Sequence, residues 1–122
     1  MKKIILFTGS IILTIMAHAQ SPTFQWAKQI GGPLNDYSQS IIVDALGNVY
    51  TTGYFSNTVD FDPSTATYTL SSSAGSTDIF ISKLDNAGNF VWAKKIGGSG
   101  YDVAISIATD RLGNIYITGT FA

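Results

Sequence analysis

From Gln20 onward, apolar and polar positions alternate in short runs, and no run keeps the 3.6-residue period of a helix. Four runs read as strands, each bounded by Gly, Asn or Asp: "SQSIIV" (Ser38–Val43), "VYTTGYF" (Val49–Phe55), "DIFISKL" (Asp78–Leu84) and "FVWAKKI" (Phe90–Ile96). The turn "DALGN" joins the first pair and "DNAGN" the second. A long loop containing "DFDP" and one weaker strand candidate, "TYTL", separates the two hairpins. The pattern therefore predicts a four-stranded antiparallel meander. Its first three strands carry apolar or aromatic residues on both faces, so they require cover on both sides. In "FVWAKKI" the two-residue period places Phe90, Trp92, Lys94 and Ile96 on one face and Val91 and Lys95 on the other. Such a strand belongs at the outside of the sheet.

The chain also repeats itself. At an offset of 66, Phe24 falls on Phe90, Trp26 on Trp92, Gly47 on Gly113 and Phe55 on Phe121. From Phe24 to Phe55, 18 of 32 positions are identical at that offset. A period of this order signals a repeat architecture. A four-stranded sheet that needs cover from copies of itself is a propeller blade. The expected fold is all-β, with antiparallel four-stranded blades and a 66-residue repeat. Residues 20–122 divide into an outer strand at 24–32, a complete blade at about 38–98 and the start of a next blade at 101–122. That is seven strands, under two blades, and about four to eight blades close a ring. An incomplete propeller is expected, whose uncovered faces and open edge favour self-association or aggregation at this length. The strand at 24–32 precedes its own inner three, as one donated to close a ring would.

The hairpin turns share the pattern D-x-x-G-N. Asp44, Asp85 and Asp110 open it, positioned to accept hydrogen bonds from backbone N–H groups two or three residues on. Gly47, Gly88 and Gly113 are expected in the left-handed conformation, and Asn48, Asn89 and Asn114 close each turn. Calcium ligation by these oxygens is the competing reading. It lacks the closing Glu of an EF-hand-like loop, because all eight acids in the chain are Asp.

Composition adds a location and removes several chemistries. Lys2 and Lys3, the apolar run Ile4–Met16 and then Ala17-His18-Ala19 read as a secretory signal peptide at residues 1–19, cleaved after Ala19. The apolar run is shorter than the roughly 20 residues that span a bilayer, so no membrane span is expected after cleavage. Both Met residues and the single His lie in this segment, and the chain has no Cys. Beyond it stand five basic residues against eight Asp, a formal net charge of −3 with no basic run. Nucleic acid is therefore not an expected partner.

With neither His nor Cys, residues 20–122 offer no triad of the usual kinds. Asp36 and Asp102 follow the two Gly-Gly turns and could serve a two-carboxylate glycosidase mechanism. They recur at the blade period, however, as structural loop residues do. Asp60 and Asp62 of "DFDP", with Asn57 nearby, are weak candidates for a calcium site. The alternative there is an acidic turn with Phe61 tucked against the blade. "IGGSG" (Ile96–Gly100) lacks the Lys and following helix of a phosphate loop. The Tyr residues, with Trp26 and Trp92, include candidates for glycan stacking, although aromatics on blade strands are usually core.

The ordered string "SIIVDALGNVYTTGYF", "DIFISKLDNAGNFVWAKKIGG" and "SIATDRLGNIYITGTF" resembles the SBBP family, the β-propeller repeats of secreted bacterial proteins. The signal ending in Ala-Gln and the "DFDP" loop resemble the versions of Bacteroidetes-type bacteria. The resemblance implies a propeller fold and a secreted or cell-surface location, and it transfers no catalytic residue. The expected function is a non-catalytic binding or scaffold role toward a protein or glycan ligand. The alternatives are a fragment of an extracellular glycan-acting propeller enzyme, or a truncated reading frame without independent function.

Overall fold

The structure, a computed structural model, describes residues 21–122; the signal peptide read at 1–19 lies outside the described residues. Every regular element among the described residues is a strand, and no helix is long and apolar enough to cross a membrane. The strands are β1 (Tyr37–Val43), β2 (Val49–Ser56), β3 (Thr58–Asp60), β4 (Thr69–Ser71), β5 (Thr77–Leu84), β6 (Phe90–Ile96), β7 (Val103–Thr109) and β8 (Ile115–Thr120).

Strands β1, β2, β5 and β6 form one antiparallel sheet in that order, the meander of a blade. Its centre is regular: β2 and β5 pair without a shift from Val49–Leu84 to Ser56–Thr77. Strands β7 and β8 form a second sheet that repeats β1–β2, with Ala108 opposite Tyr116 as Ile42 stands opposite Tyr50. Strand β7 packs against β1, β2 and β5, so the two sheets lie face to face.

The first sheet is covered on one face by the second sheet and on the other over β2, β5 and β6, while β1 stays open there. On one face Ile42, Tyr50, Ile81 and Trp92 meet Ile107, Ile115 and Ile117 of the second sheet. On the other, Phe55, Phe80 and Ala93 pack with Val59, Phe61 and Leu70 of the β3–β4 hairpin, and with Ile30. Phe61 sits edge-on to Phe55 at 5.4 Å and 5.1 Å from Phe80, ring centre to ring centre. Full burial of each such ring contributes about 1.5–3 kcal/mol. Thr52, a polar side chain buried on central strand β2, is satisfied: its Oγ1 donates to Phe80 O at 2.7 Å.

Three features depart from the sequence pattern. The long loop is itself a small hairpin, β3–β4, whose three-residue strands are too short to show a period. Strand β6 carries a bulge: Lys83 pairs with Trp92 but Leu84 with Phe90, leaving Val91 unpaired. One extra residue reverses the faces. Phe90 therefore joins Ala93 beside Tyr68, while Trp92 stays on the opposite face with Tyr50. Phe90 and Trp92 do not share a face, contrary to the plain alternation.

The third departure is the outer strand read at 24–32. Residues 24–30 join no ladder, and Gly31 makes only an isolated bridge to Asp60. Strand β6 has β5 beside it to receive its hydrogen bonds; no equivalent neighbour flanks 24–30 among the described residues. The segment is nonetheless anchored across the blade. Trp26 Nε1 donates to Asn86 O at 3.1 Å, and the Trp26 and Lys28 side chains lie over Gly88.

Candidate functional site at the turns and the sheet junctions

The three D-x-x-G-N turns are built alike. Asp44 Oδ1 accepts from the N–H groups of Leu46 and Asn48, both at 2.9 Å, and Oδ2 accepts from Asn48 Nδ2 at 2.7 Å. Asp85 holds Ala87 and Asn89, and Asp110 holds Leu112 and Asn114, through the same three contacts. The N–H groups captured are two and four residues on. Gly47, Gly88 and Gly113 have φ of 82°, 80° and 83°, a left-handed conformation that only glycine adopts without strain. The Asn48, Asn89 and Asn114 side chains are the main cause that holds the three carboxyls below the ordinary value of 3.8, with backbone N–H groups adding to it. Tyr50 and Tyr116 donate their hydroxyls to Asp44 and Asp110 at 3.1 and 3.0 Å. The bond to Asp110, and then its charge, raise the Tyr116 hydroxyl above its usual 10.0. These carboxylates are spent on their own turns.

The acids of "DFDP" are likewise engaged by backbone. Asp60 Oδ1 accepts from Asp62 N and Tyr68 N, and Asp62 Oδ1 from Ser64 N. Phe61 between them is buried in the core. Asn57 turns the corner into β3 with φ of 60°, its N–H donating to Ser72 Oγ. No group of three or more His, Cys, Asp or Glu placed to hold a metal ion occurs among the described residues.

Asp36 and Asp102 occupy matching corners. Each accepts through Oδ2 from the N–H of the second Gly of its Gly-Gly turn, Gly32 at 2.7 Å and Gly98 at 2.8 Å. They differ beyond that. Asp102 is buried and fully used: its Oδ1 accepts from Ala122 N, its N–H donates to Thr77 O, and its own carbonyl accepts from Thr77 Oγ1. Asp36 Oδ1 is buried without a partner.

The sequence reading missed the eighth acid, Asp78, which is fully buried at the start of β5. Its Oδ2 accepts from Lys95 Nζ at 2.5 Å and from Ser73 N, and its Oδ1 has no partner. A side chain at Gly97 would stand 2.8 Å from Asp78 Oδ1 and 2.7 Å from Asp102 Oδ2, so glycine lets the two carboxylates converge. The signal was available in retrospect. An Asp opening a strand with apolar residues on both faces is buried and requires a cation, and Lys95 is the only base on β6 aligned with it.

One concavity is apolar. A cavity of about 250 Å³ lies between Trp26 and the open face of β1–β2, with Ile41, Val49 and Thr51 on one wall and Phe55 and Phe80 on the floor. At the 66-residue offset, Trp26, Ile41, Val49 and Thr51 correspond to Trp92, Ile107, Ile115 and Ile117. Those four belong to the filled junction between the two sheets. The same residues line a core at one junction and a cavity at the other.

The comparisons agree with this architecture. The SBBP β-propeller repeat family matches twice, at residues 25–54 and 91–120. Across 120 residues the chain is 32% identical to an uncharacterized WD repeat-containing protein of Acanthamoeba polyphaga mimivirus. That match covers 96% of this chain and 9% of the viral protein, so the chain spans about a tenth of its relative's length. No solved structure matches the chain. Two family matches, one on each copy of the 66-residue unit, make this a chain of SBBP β-propeller repeats.

Proposed function

We propose that the chain is a non-catalytic binding or scaffold segment of a β-propeller repeat protein, exported by its N-terminal signal and acting at the cell surface or outside the cell. One observation carries the non-catalytic part. The acids that recur with the repeat are bonded to backbone N–H groups of their own loops, as structural loop residues are, where a glycosidase needs carboxylates free to meet substrate. The repeat residues thus build sheets and turns, and recognition falls to the loops and faces those sheets present. The ligand class that fits is a protein or a glycan.

Two measurements test the reading. Fractionating expressing cells and sequencing the product's N-terminus should recover it outside the cytoplasm and starting at Gln20; an intact Met1 in the cytoplasm would overturn export. Incubation with polysaccharides should give no new reducing ends, and retention on an immobilised glycan or cell-surface protein should occur without turnover. Release of sugar by the purified chain would overturn the non-catalytic reading.

A further inference from the structure

We propose that the ion pair of Lys95 and Asp78 is the precursor of an amide bond, formed by the chain itself with Asp102 as proton carrier, that staples strand β6 to β5. Such a bond is a modification of the fold, independent of whatever the chain binds.

The strand register brings the two side chains together. Lys95 stands opposite Phe80 across β5–β6, and Asp78 lies two residues before Phe80, so both point to one face as diagonal neighbours. Lys95 Nζ meets Asp78 Oδ2 at 2.5 Å, with the electrophilic Cγ one bond behind. A nucleophile held in contact in this way reacts as if at very high concentration. Asp78 is fully buried, which keeps away the bulk water that would reverse the reaction.

An ion pair alone does not account for the surroundings. A buried charge pair is stable when its remaining lone pairs are hydrogen-bonded and no further charge stands beside it. Here Asp78 Oδ1 is buried without a partner. A second buried carboxylate, Asp102, approaches from the other side of Gly97. A side chain at Gly97 would lie 2.8 Å from Asp78 Oδ1, 2.9 Å from Asp78 Cγ and 2.7 Å from Asp102 Oδ2. Amide formation removes both defects. It expels the unpartnered oxygen and takes away the like charge beside Asp102. Oδ2 stays as the amide carbonyl and keeps its hydrogen bond from Ser73 N.

The step balances without a co-reactant. The Nζ–Cγ bond forms, the Cγ–Oδ1 bond breaks, and no atom is oxidised or reduced. The nitrogen begins as an ammonium with three protons and ends as an amide with one. The two protons it sheds leave on Oδ1 as water. Asp102 faces Oδ1, delivers the protons to it and ends as it began, which is general acid–base work. The Lys95 side chain is 37% exposed and gives the released water a path to solvent. With no Cys in the chain, no disulfide can tie these strands. The amide supplies a covalent tie and restricts the unfolded chain as a disulfide would.

Mass spectrometry of the purified full chain tests this directly. The intact mass should be one water short of the mass of its residues, and a tryptic digest should contain a branched peptide joining Asp78 to Lys95. A chain that retains its water and yields no branched peptide overturns the proposal. Lys95→Arg keeps the charge pair but removes the amine, so it should keep its full mass; loss of water from this variant would place the reaction elsewhere and overturn the assignment. Asp102→Asn keeps an acceptor for Gly98 N, so its circular dichroism should match the wild type while linkage slows about 100-fold. Linkage at the wild-type rate would overturn the role of Asp102. Where Asp102→Asn does not fold, Asp102→Ser carries the same expectation. None of these readouts involves a ligand, so failure here leaves the binding-module reading to its own tests.

Discussion

The two junctions hold nearly the same residues in different states. At the junction of Trp92 with β7–β8, the aromatic and aliphatic side chains close into a core. At the junction of Trp26 with β1–β2, their counterparts border a cavity. The acids differ in parallel: Asp102 uses both carboxylate oxygens and locks onto Thr77, whereas Asp36 leaves one oxygen buried and unpaired. The repeated residues therefore do not form a core by themselves. They form one half of it, and the other half is the Tyr50 face of a neighbouring sheet.

The largest effect is expected beneath the β3–β4 hairpin. Phe55, Phe61 and Phe80 form the three-ring core beneath the β3–β4 hairpin, and Phe55→Ala should cost about 3–5 kcal/mol. Urea unfolding followed by circular dichroism would measure it; a loss below about 1 kcal/mol would remove the hairpin core from the account.

Next comes the buried Asp78 with its Lys95 partner. Asp78→Ala strands the Lys95 ammonium and removes the acceptor of Ser73 N, and should cost about 1–3 kcal/mol, since Lys95 is partly solvated. Asp36→Ala removes one bond, from Gly32 N, together with an oxygen that is buried and unpaired, and should cost less than Asp78→Ala in the same urea titration. Equal losses would contradict the difference between the ion-paired Asp78 and the unpaired Asp36.

A pH series sharpens the turns. Asp44, Asp85 and Asp110 have folded-state values below 3.8, so their contribution is present above that value and is lost as pH falls through the lowered ones. Melting temperature should hold from neutral pH to about 5 and decline below about 4. Replacing all three by Asn should flatten that decline; an unchanged profile would place the acid-sensitive groups elsewhere.

The blade was largely legible in the sequence because its strands are long enough to show the two-residue period. The 66-residue repeat then fixed where each strand recurs. Less legible were features set by a single residue or by a distant partner. The bulge at Val91 turns Phe90 away from Trp92, and nothing in "FVWAKKI" marks the extra residue. Strands β3 and β4 are three residues each, too short for any periodicity. The segment 24–30 reads as well as β6 does, yet a strand needs a neighbour, and sequence similarity does not supply one. Of the acids, the turn Asp residues announced themselves by spacing, whereas Asp78 stands out only once Lys95 and Gly97 are seen around it.

The smallest difference is expected between two turns of the same design. Asp85→Ala opens the β5–β6 hairpin, which carries Trp26 on its Asn86 carbonyl, and should lower the urea midpoint. Asp110→Ala loosens an exposed hairpin and should lower the midpoint less.

The central claim is that equivalent residues are core at one junction and open surface at the other. Ile107→Ala and Ile41→Ala test it most directly, unfolded in urea side by side at concentrations where light scattering reports a monomer. Ile107→Ala should lose about 2–5 kcal/mol and Ile41→Ala less than about 1. Equal losses, or a larger loss at Ile41, would contradict it.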